Sequence, residues 1–259
     1  MQSTASGNGR FVWFELMTTD IPAAIDFYKK VIGWTVEEWG DPKSDYRMWR
    51  IPGGGTVGGV MKLADEAKAM GAPPHWIGNL VVPSVDEAVT KVKAHGGAVY
   101  VPAFDVPDVG RVAIVADPTG AVVSLYQPSG EAPGHAGMPT YGEFSWSELM
   151  TLDPAKAWDF YADVAGWQKS EAMDMGEMGT YQMFGPLPGT MIGGMMKSPP
   201  DMPVSAWLYY IYVSDLDKAI ETAKANGGTL LNGPMPIPGG DRVAQLLDPQ
   251  GAAFALHGK

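Results

Sequence analysis

Apolar and polar residues alternate in the segment FVWFELM at positions 11–17 and again in FSWSELM at positions 144–150. Alternation with a period of two residues predicts a β-strand whose two faces meet different surroundings. An aspartate follows each segment, Asp20 or Asp153, and a proline comes one or two positions later, Pro22 or Pro154. An aspartate N-cap and a proline in the first turn predict that a helix begins at each place.

The apolar residues that follow have the spacing of one helix face. In the first segment they are Ala23, Ala24, Ile25, Phe27, Tyr28 and Val31. Gly33 and Gly166 are predicted to end the two helices. Shorter strand-like runs follow at 46–51, 56–62 and 76–82, and a second helix is predicted at 85–95 and again at 216–226. The last two strands of each copy flank a turn sequence, DPTG or DPQG.

The chain therefore carries one pattern twice. Matching residues lie 133 positions apart in the first strand and helix, 135 apart at Tyr46/Tyr181 and the paired glycines, and 131 apart in the rest of each copy. A unit of this length is too long for a solenoid and indicates a duplicated module. We expect module one at 9–127, a Pro- and Gly-rich linker at 128–140, and module two at 141–258. Each module has a βαβββ order, with an additional helix and strand pairing that the pattern does not place.

Composition narrows the class of protein. The 259 residues are 46% hydrophobic and 18% charged, which is typical of a globular chain. The chain has no cysteine, which excludes disulfides, thiolate metal sites and cysteine nucleophiles. A net charge of −11 argues against nucleic-acid binding and against anionic membranes. Because the start is polar and no apolar run is long enough for a membrane span, we expect a cytoplasmic protein. The pairing of two modules within one chain predicts a monomer, and the pocket expected between them predicts a small-molecule partner.

Several motifs resemble the glyoxalase/bleomycin-resistance/dioxygenase family, also called the vicinal oxygen chelate superfamily. They are the strand ending at Asp20, the Phe27-Tyr28 pair, Gly33-Trp34 and the closing turn at 117–120, each with a counterpart in the second copy. The resemblance implies an α+β fold of two tandem βαβββ modules, paired by pseudo-twofold symmetry around a cavity. The family includes metal-dependent lyases, dioxygenases, epimerases, transferases and metal-free antibiotic-binding proteins, so the fold alone does not select a function.

The resemblance also implies metal ligands on the first, middle and closing strands of the modules. In this chain the corresponding positions hold Trp13, Trp146, Ile77, Leu208, Ser124 and Ala255. Five of these six side chains offer no metal-binding atom and the serine is a poor ligand. We therefore expect no tightly bound transition metal and no cofactor.

Strand alternation predicts which side chains face the cavity. If Trp13 points inward, Glu15 and Met17 point inward with it, and Trp146, Glu148 and Met150 do so in the second module. The proposed ligand-binding residues are Trp13, Met17, Trp146, Met150, Tyr126, His257, Tyr210, Arg111 and Arg242. A mostly apolar lining with a few polar groups is typical of a small-molecule site.

Glu15 and Glu148 are the candidate catalytic residues, because a carboxylate between large apolar residues is costly to bury without a partner. The alternative is that they form ion pairs with Arg111, Arg242 or Arg47 and only stabilise the fold. Arg111 and Arg242 could hold a substrate carboxylate, but bracing a loop against an acidic neighbour is the simpler interpretation. His75 and His257 could ligate metal or transfer protons, and a solvent-exposed position is the alternative.

Three functions remain open from the sequence. The first is a metal-independent protein that binds a partly aromatic small molecule. The second is a metal-dependent lyase or isomerase of glyoxalase type with non-standard ligands from Glu15, Glu148, His75 and His257. The third is metal-free proton transfer with Glu15 or Glu148 as general base. The sequence does not decide whether the protein is an enzyme.

Overall fold

The computed structural model of the protein describes residues 7–40, 44–135 and 137–259. In the first repeat the elements follow the chain as β1 Phe11–Thr18, α1 Ile21–Val31, β2 Thr35–Glu38, β3 Arg47–Arg50, β4 Thr56–Lys62, α2 Asp65–Ala69, β5 His75–Val81, α3 Val85–Ala94, β6 Ala98–Val106, β7 Gly110–Ala116 and β8 Val122–Pro128. The strands and helices predicted from the sequence are present within a residue or two of the expected bounds.

The second repeat follows the same order of strands. Its elements are β9 Phe144–Thr151, α4 Pro154–Val164, β10 Gln168–Asp174, β11 Thr180–Gly185, β12 Gly193–Lys197, β13 Ala206–Tyr212, α5 Leu216–Ala225, β14 Thr229–Pro236, β15 Arg242–Leu247 and β16 Ala253–Gly258. A single 3₁₀ turn at Gly176–Met178 precedes β11.

The strands form two mixed eight-stranded sheets, ordered β2-β3-β4-β1-β5-β8-β7-β6 and β10-β11-β12-β9-β13-β16-β15-β14. In each repeat the first strand of a motif runs parallel to its fourth strand, as β1 does with β4 and β5 with β8. Each repeat is thus built from two βαβββ motifs, the first beginning at β1 or β9 and the second at β5 or β13. The second motif accounts for the helix and strands that the sequence pattern could not place, and the predicted α+β fold of two tandem modules is confirmed.

The helix starts are fixed by the predicted aspartates. The Asp20 carboxylate accepts a hydrogen bond from the backbone N–H of Ala23 at 3.0 Å, and Asp153 accepts one from Lys156 at 3.2 Å. These bonds satisfy backbone donors that have no partner inside the first turn of a helix. The buried face of α1 is Ala24, Phe27, Tyr28 and Val31.

Tertiary contacts divide the chain into two compact units, and neither unit is one repeat. The described part of the first unit comprises residues 7–13, 78–135 and 146–207. The second comprises residues 14–77, 137–145 and 208–259, without the undescribed 41–43. Each unit therefore combines one βαβββ motif from each repeat.

The core of the first unit is an aromatic cluster. Trp167 stacks on Phe184 with ring centroids 4.0 Å apart and on Tyr161 at 4.8 Å. Phe11, from the other repeat, contacts Trp207 edge to face at 5.1 Å. The indole N–H of Trp167 donates to the carbonyl of Gly9 at 2.6 Å, so a residue of the second repeat is bonded to the first.

The core of the second unit has the same arrangement, but here the tryptophan belongs to the first repeat and the residue that accepts its hydrogen bond belongs to the second. The indole N–H of Trp34 donates to the carbonyl of Gly142 at 2.8 Å, and Gly142 lies 133 positions after Gly9. Phe14 stacks on Phe144 at 3.8 Å, across the two repeats. The hydrophobic core of each unit is thus completed only when both repeats contribute, because burial of large aromatic rings is a dominant part of such a core.

Among the described residues, no helix has both the length and the apolar character that crossing a membrane would require.

Candidate functional site

A chain of hydrogen bonds ends at the candidate residue Glu148 in the first unit. The Trp146 indole N–H donates to the Tyr181 hydroxyl oxygen at 2.7 Å, and the Tyr181 hydroxyl donates to Glu148 Oε2 at 3.0 Å. Glu148 is only 7% exposed, whereas Trp146 is half-buried. Because a buried carboxylate is stable only with hydrogen-bond donors, the Tyr181 hydroxyl helps to hold it in one orientation.

The paired glycines explain how the tyrosine reaches this carboxylate. Gly194 on β12 pairs with Glu148 on β9, and a Cβ added to Gly194 would lie 2.1 Å from Cε1 of Tyr181. A Cβ on Gly193 would lie 2.2 Å from the carbonyl oxygen of Ser147. Only glycine permits approaches this close, so the tyrosine ring lies directly against the backbone of β12.

The first repeat has the same arrangement in the second unit. The Tyr46 hydroxyl donates to Glu15 Oε1 at 3.2 Å, and Glu15 pairs with Gly59 across the sheet. A Cβ on Gly59 would lie 2.3 Å from the Tyr46 hydroxyl oxygen. Glu15 is half-buried, more open than Glu148. Trp39 packs edge to face against Tyr46 at 5.8 Å.

Burial alternates along β1 but not regularly along β9. Trp13, Glu15 and Met17 are half-buried, while Phe14 and Leu16 between them are buried. In β9 the pattern is less regular: Phe144, Ser145, Trp146 and Met150 are half-buried, whereas Ser147, Glu148 and Leu149 are all buried. Alternation thus separates a core face from the candidate face in β1, but burial alone does not separate the two faces of β9.

The candidate residues of the second motifs lie in two polar clusters. In the first unit Ser124, which is fully buried, donates to Asn79 Oδ1 at 2.7 Å, and the hydroxyl of buried Tyr126 donates to the carbonyl of Val109 at 3.0 Å. In the second unit the Gln245 amide donates to the hydroxyl oxygen of Tyr210 at 3.1 Å. Burial raises the pKa of Tyr126, which keeps its phenol neutral.

Arg111 and Arg242 occupy equivalent positions and make equivalent ion pairs. Arg111 binds both carboxylate oxygens of Asp86 at 3.0 Å and Asp105 at 2.9 Å, and Arg242 binds Asp217 at 2.9 and 3.0 Å. These contacts are the loop-bracing arrangement considered in the sequence analysis. The role of either arginine in ligand binding stays a prediction.

Neither candidate histidine is fully exposed to solvent, which was the alternative to a functional role. His75 is half-buried, its Nδ1 lies 2.7 Å from the carbonyl oxygen of Pro73, and burial lowers its pKa. His257 lies between Ser145, 3.0 Å from Nδ1, and Asp241, 3.2 Å from Nε2. Burial lowers the pKa of His257, and the charge of Asp241 opposes that shift.

The positions at which the family resemblance implies metal ligands do not fit a metal. The indole N–H of Trp146 is a donor that is bonded to Tyr181, and the Ser124 hydroxyl is bonded to Asn79. Ile77, Leu208 and Ala255 have no donor atom. Within residues 7–40, 44–135 and 137–259, no group of three or more His, Asp or Glu side chains is arranged to hold a metal ion.

Two shallow surface grooves lie beside the starts of α1 and α4, with volumes of about 410 and 390 Å³. The first is lined by residues that include Asp20, Arg47 and Lys62. The second is lined by residues that include Trp158, Lys169 and Gln182. None of the candidate site residues lines either groove.

Sequence reasoning did not assign a role to Tyr46 and Tyr181. The sequence showed that both tyrosines and both glycine pairs occur at matching positions of the two repeats. The contact with glutamate joins residues 31 or 33 positions apart, so it depends on which strands pair.

Comparison with known proteins agrees with this architecture. The model of the Glyoxalase/Bleomycin resistance protein/Dioxygenase superfamily matches residues 10–125 and 143–256. A Mycobacterium bovis protein named "Putative glyoxylase CFP32" is 36% identical over 94% of this chain and 92% of its own length. The anthracycline biosynthesis protein DauV of Streptomyces sp. strain C5 is 28% identical over 96% of this chain and 92% of its own.

Solved structures with the same fold include a glyoxalase and a dioxygenase at low sequence identity. The Mn(II)-bound glyoxalase from Novosphingobium aromaticivorans has a TM-score of 0.65 and 16% identity, covering 98% of this chain and 83% of its own. The 2,3-dioxygenase LapB from Pseudomonas sp. KL28 has a TM-score of 0.64 and 13% identity, covering 99% and 94%. The family match over both repeats, together with the two eight-stranded sheets, shows that this chain belongs to the Glyoxalase/Bleomycin resistance protein/Dioxygenase superfamily.

Proposed function

We propose that this chain is a metal-independent protein that binds a partly aromatic small molecule, with Glu148 as the polar anchor of a site in the first unit and Glu15 as the anchor of an equivalent site in the second unit. The observation that carries the proposal is the hydrogen-bonded chain from Trp146 through Tyr181 to Glu148. It positions a carboxylate beside half-buried aromatic and methionine side chains. Such a combination can bind an aromatic surface and one hydrogen-bond donor of a ligand at the same time.

The ligand-facing residues support an aromatic ligand. Trp13, Met17, Trp146 and Met150 are half-buried on strands whose opposite faces form the cores. Indole rings stack on planar ligands, and methionine side chains adapt to irregular apolar shapes. The relative DauV is named for anthracycline biosynthesis, so an anthracycline is the rational first probe of this chain.

The donor set at the six strand positions supports the proposal that no metal is required. A transition-metal site takes three or four N, O or S ligands at short fixed distances. Trp13, Trp146, Ile77, Leu208 and Ala255 supply none, and the hydroxyl of Ser124 is bonded to Asn79. A metal-dependent lyase of glyoxalase type would therefore need a different set of ligands.

The test is a fluorescence titration of the protein with daunorubicin, in chelator and in added Mn(II). We expect saturable binding that does not change with metal, and a loss of about 10-fold or more in affinity for Glu148→Gln or Glu15→Gln. Glu221→Gln, an exposed position on α5, is the matched control and should leave binding unchanged. Binding that requires Mn(II), or that is the same in all three variants, would contradict the proposal.

Metal-free proton transfer is the second candidate, favoured by the 3.0 Å contact of Tyr181 with Glu148. A carboxylate could remove a proton next to a carbonyl group, and a phenol bonded to it could stabilise its orientation. The experiment is turnover of the hemithioacetal of a 2-oxoaldehyde and glutathione in chelator. If the wild-type protein turns over this substrate and Glu148→Gln lowers the rate by about 100-fold, the result supports catalysis. If the protein binds ligand but shows no turnover, only the binding function is supported.

A further inference from the structure

In the second unit a serine, a histidine and an aspartate are linked in a row by hydrogen-bond contacts. These three residues are not part of the tyrosine–glutamate pairs. Ser145 Oγ on β9 lies 3.0 Å from His257 Nδ1, and His257 Nε2 on β16 lies 3.2 Å from Asp241 Oδ2. If Nε2 carries the proton and donates to the carboxylate, the Nδ1 lone pair accepts from the Ser145 hydroxyl. The other acceptor for that hydroxyl is the Tyr210 carbonyl oxygen, which is farther away at 3.3 Å.

The surroundings of the histidine suit a neutral base. Burial lowers the pKa of His257, while the adjacent carboxylate of Asp241 raises it and orients the ring. The imidazole lies against the ring of Tyr212 at 4.9 Å, and Tyr212 packs against Tyr141 at 5.0 Å. The side chains of His257 and Asp241 are 20% and 23% exposed, so a small molecule can reach them.

The fold does not require this trio. The equivalent positions of the first repeat, 133 positions before Ser145 and 131 before the other two, are Val12, Gly110 and Tyr126. That repeat forms the same strands without any of the three groups. By contrast, the capping aspartates and the core tryptophans are present in both repeats, because the fold depends on them.

We propose that Ser145, His257 and Asp241 form a nucleophilic site for small aryl esters. Ser145 Oγ attacks the ester carbonyl carbon as its proton passes to His257 Nδ1. The bond from the carbonyl carbon to the phenolic oxygen then breaks, and the phenolate takes that proton from His257. Water attacks the acyl–serine by the same route in reverse, releasing the acid and the free serine.

The aromatic pair beside the site selects the substrate class. Tyr212 lies against the imidazole and Tyr141 against Tyr212, so a planar leaving group can stack on them. Asp241 is a positioning residue, because it acts through the histidine and does not touch the reacting atoms.

Hydrolysis of p-nitrophenyl acetate tests the site. We expect an initial burst of p-nitrophenolate and an acetyl adduct on the peptide that contains Ser145. Ser145→Ala should abolish both, because it removes the attacking oxygen, and His257→Gln should lower the acylation rate about 100-fold. Asp241→Asn should lower that rate about 10-fold, with a burst of the same amplitude. The matched control is Ser147→Ala, a buried serine two positions along β9, which should acylate at the unchanged rate. Absence of a burst in the wild-type protein, or an adduct elsewhere, would overturn the proposal.

A second measurement does not depend on ester turnover. Because the chain has no cysteine, Ser145→Cys would carry the only thiol. Next to the His257–Asp241 pair this thiol should react with iodoacetamide about 10-fold faster than the thiol of Ser170→Cys, at a serine on β10 that is half-buried like Ser145. Adding His257→Gln should remove the difference. Equal reactivity of the two thiols, in folded proteins, would show that the histidine does not activate this position.

Discussion

Tyr181 donates a hydrogen bond of 3.0 Å to Glu148, and Tyr46 makes the equivalent bond to Glu15 at 3.2 Å. In both repeats the tyrosine lies against a glycine that pairs with that glutamate across the sheet. Both repeats thus contain the same arrangement of a glutamate, a tyrosine and a glycine.

Tyr181→Phe should lower the free energy of unfolding by about 1–3 kcal/mol, because Glu148 is buried and loses a hydrogen-bond donor. Tyr46→Phe should cost less, about 0.5–1.5 kcal/mol, since the half-buried Glu15 can replace that donor with water. Urea denaturation of the two variants gives the comparison. A larger loss for Tyr46→Phe would contradict the role assigned to burial.

Gly194→Ala should destabilise the protein by about 1–3 kcal/mol, because the new methyl group would lie 2.1 Å from the Tyr181 ring. The matched control is Gly53→Ala, where no atom lies within 4 Å of the added Cβ. Combining Gly194→Ala with Tyr181→Ala should cost less than the sum of the two changes. Strict additivity in this double-mutant cycle would show that the ring and the glycine do not interact.

Asp248→Asn should change how stability depends on pH. Burial raises the pKa of Asp248, whose Oδ2 accepts from Tyr28 at 3.2 Å. Because the folded state binds the proton more tightly, the stabilisation from this group is present below the unfolded-state pKa. It is lost as pH rises through the raised pKa. The Asn variant, which does not titrate, should therefore gain stability relative to the wild type between acid and neutral pH.

Asp153→Asn should change the pH dependence of stability in the opposite direction. The backbone N–H of Lys156 lowers the pKa of Asp153, so its stabilisation is present above the unfolded-state pKa and is lost as pH falls. The Asn variant should therefore lose stability relative to the wild type as pH rises through the acid range. Parallel pH profiles for the two variants would contradict both assignments.

A fragment of residues 9–127 should not remain a folded monomer. The core around Trp34 includes Phe144, and Trp34 donates to the Gly142 carbonyl, so both partners belong to the second repeat. Co-expression with a fragment of residues 137–259 should restore the folded state, because the two cores need both repeats. Tryptophan fluorescence and sedimentation measure the outcome, and a stable, monomeric isolated repeat would contradict the shared core.

Local signals in the sequence were sufficient for most of the elements. Strand alternation located β1 and β9, and the capping aspartates located the starts of α1 and α4, because these signals act within one turn or one strand. The edge strand β6 was missed, since most of its residues are exposed and apolar and polar positions do not alternate in it. The alternating burial of β1 was also predictable, but the tyrosine partners of Glu15 and Glu148 were not.

The sequence by itself determined that one module occurs twice, and that the positions where the family resemblance implies metal ligands hold Trp, Ile, Leu, Ser and Ala. It indicated one βαβββ order for each copy, whereas the structure has two such motifs in each. Only the tertiary structure decided that each compact unit takes one motif from each copy, and that Ser145, His257 and Asp241 come together. The physical reason is the distance along the chain over which each interaction acts. Propensity, alternation and capping are fixed by neighbouring residues. Strand pairing joins residues tens of positions apart, and the shared cores join residues more than a hundred positions apart, through free-energy differences that no local pattern records.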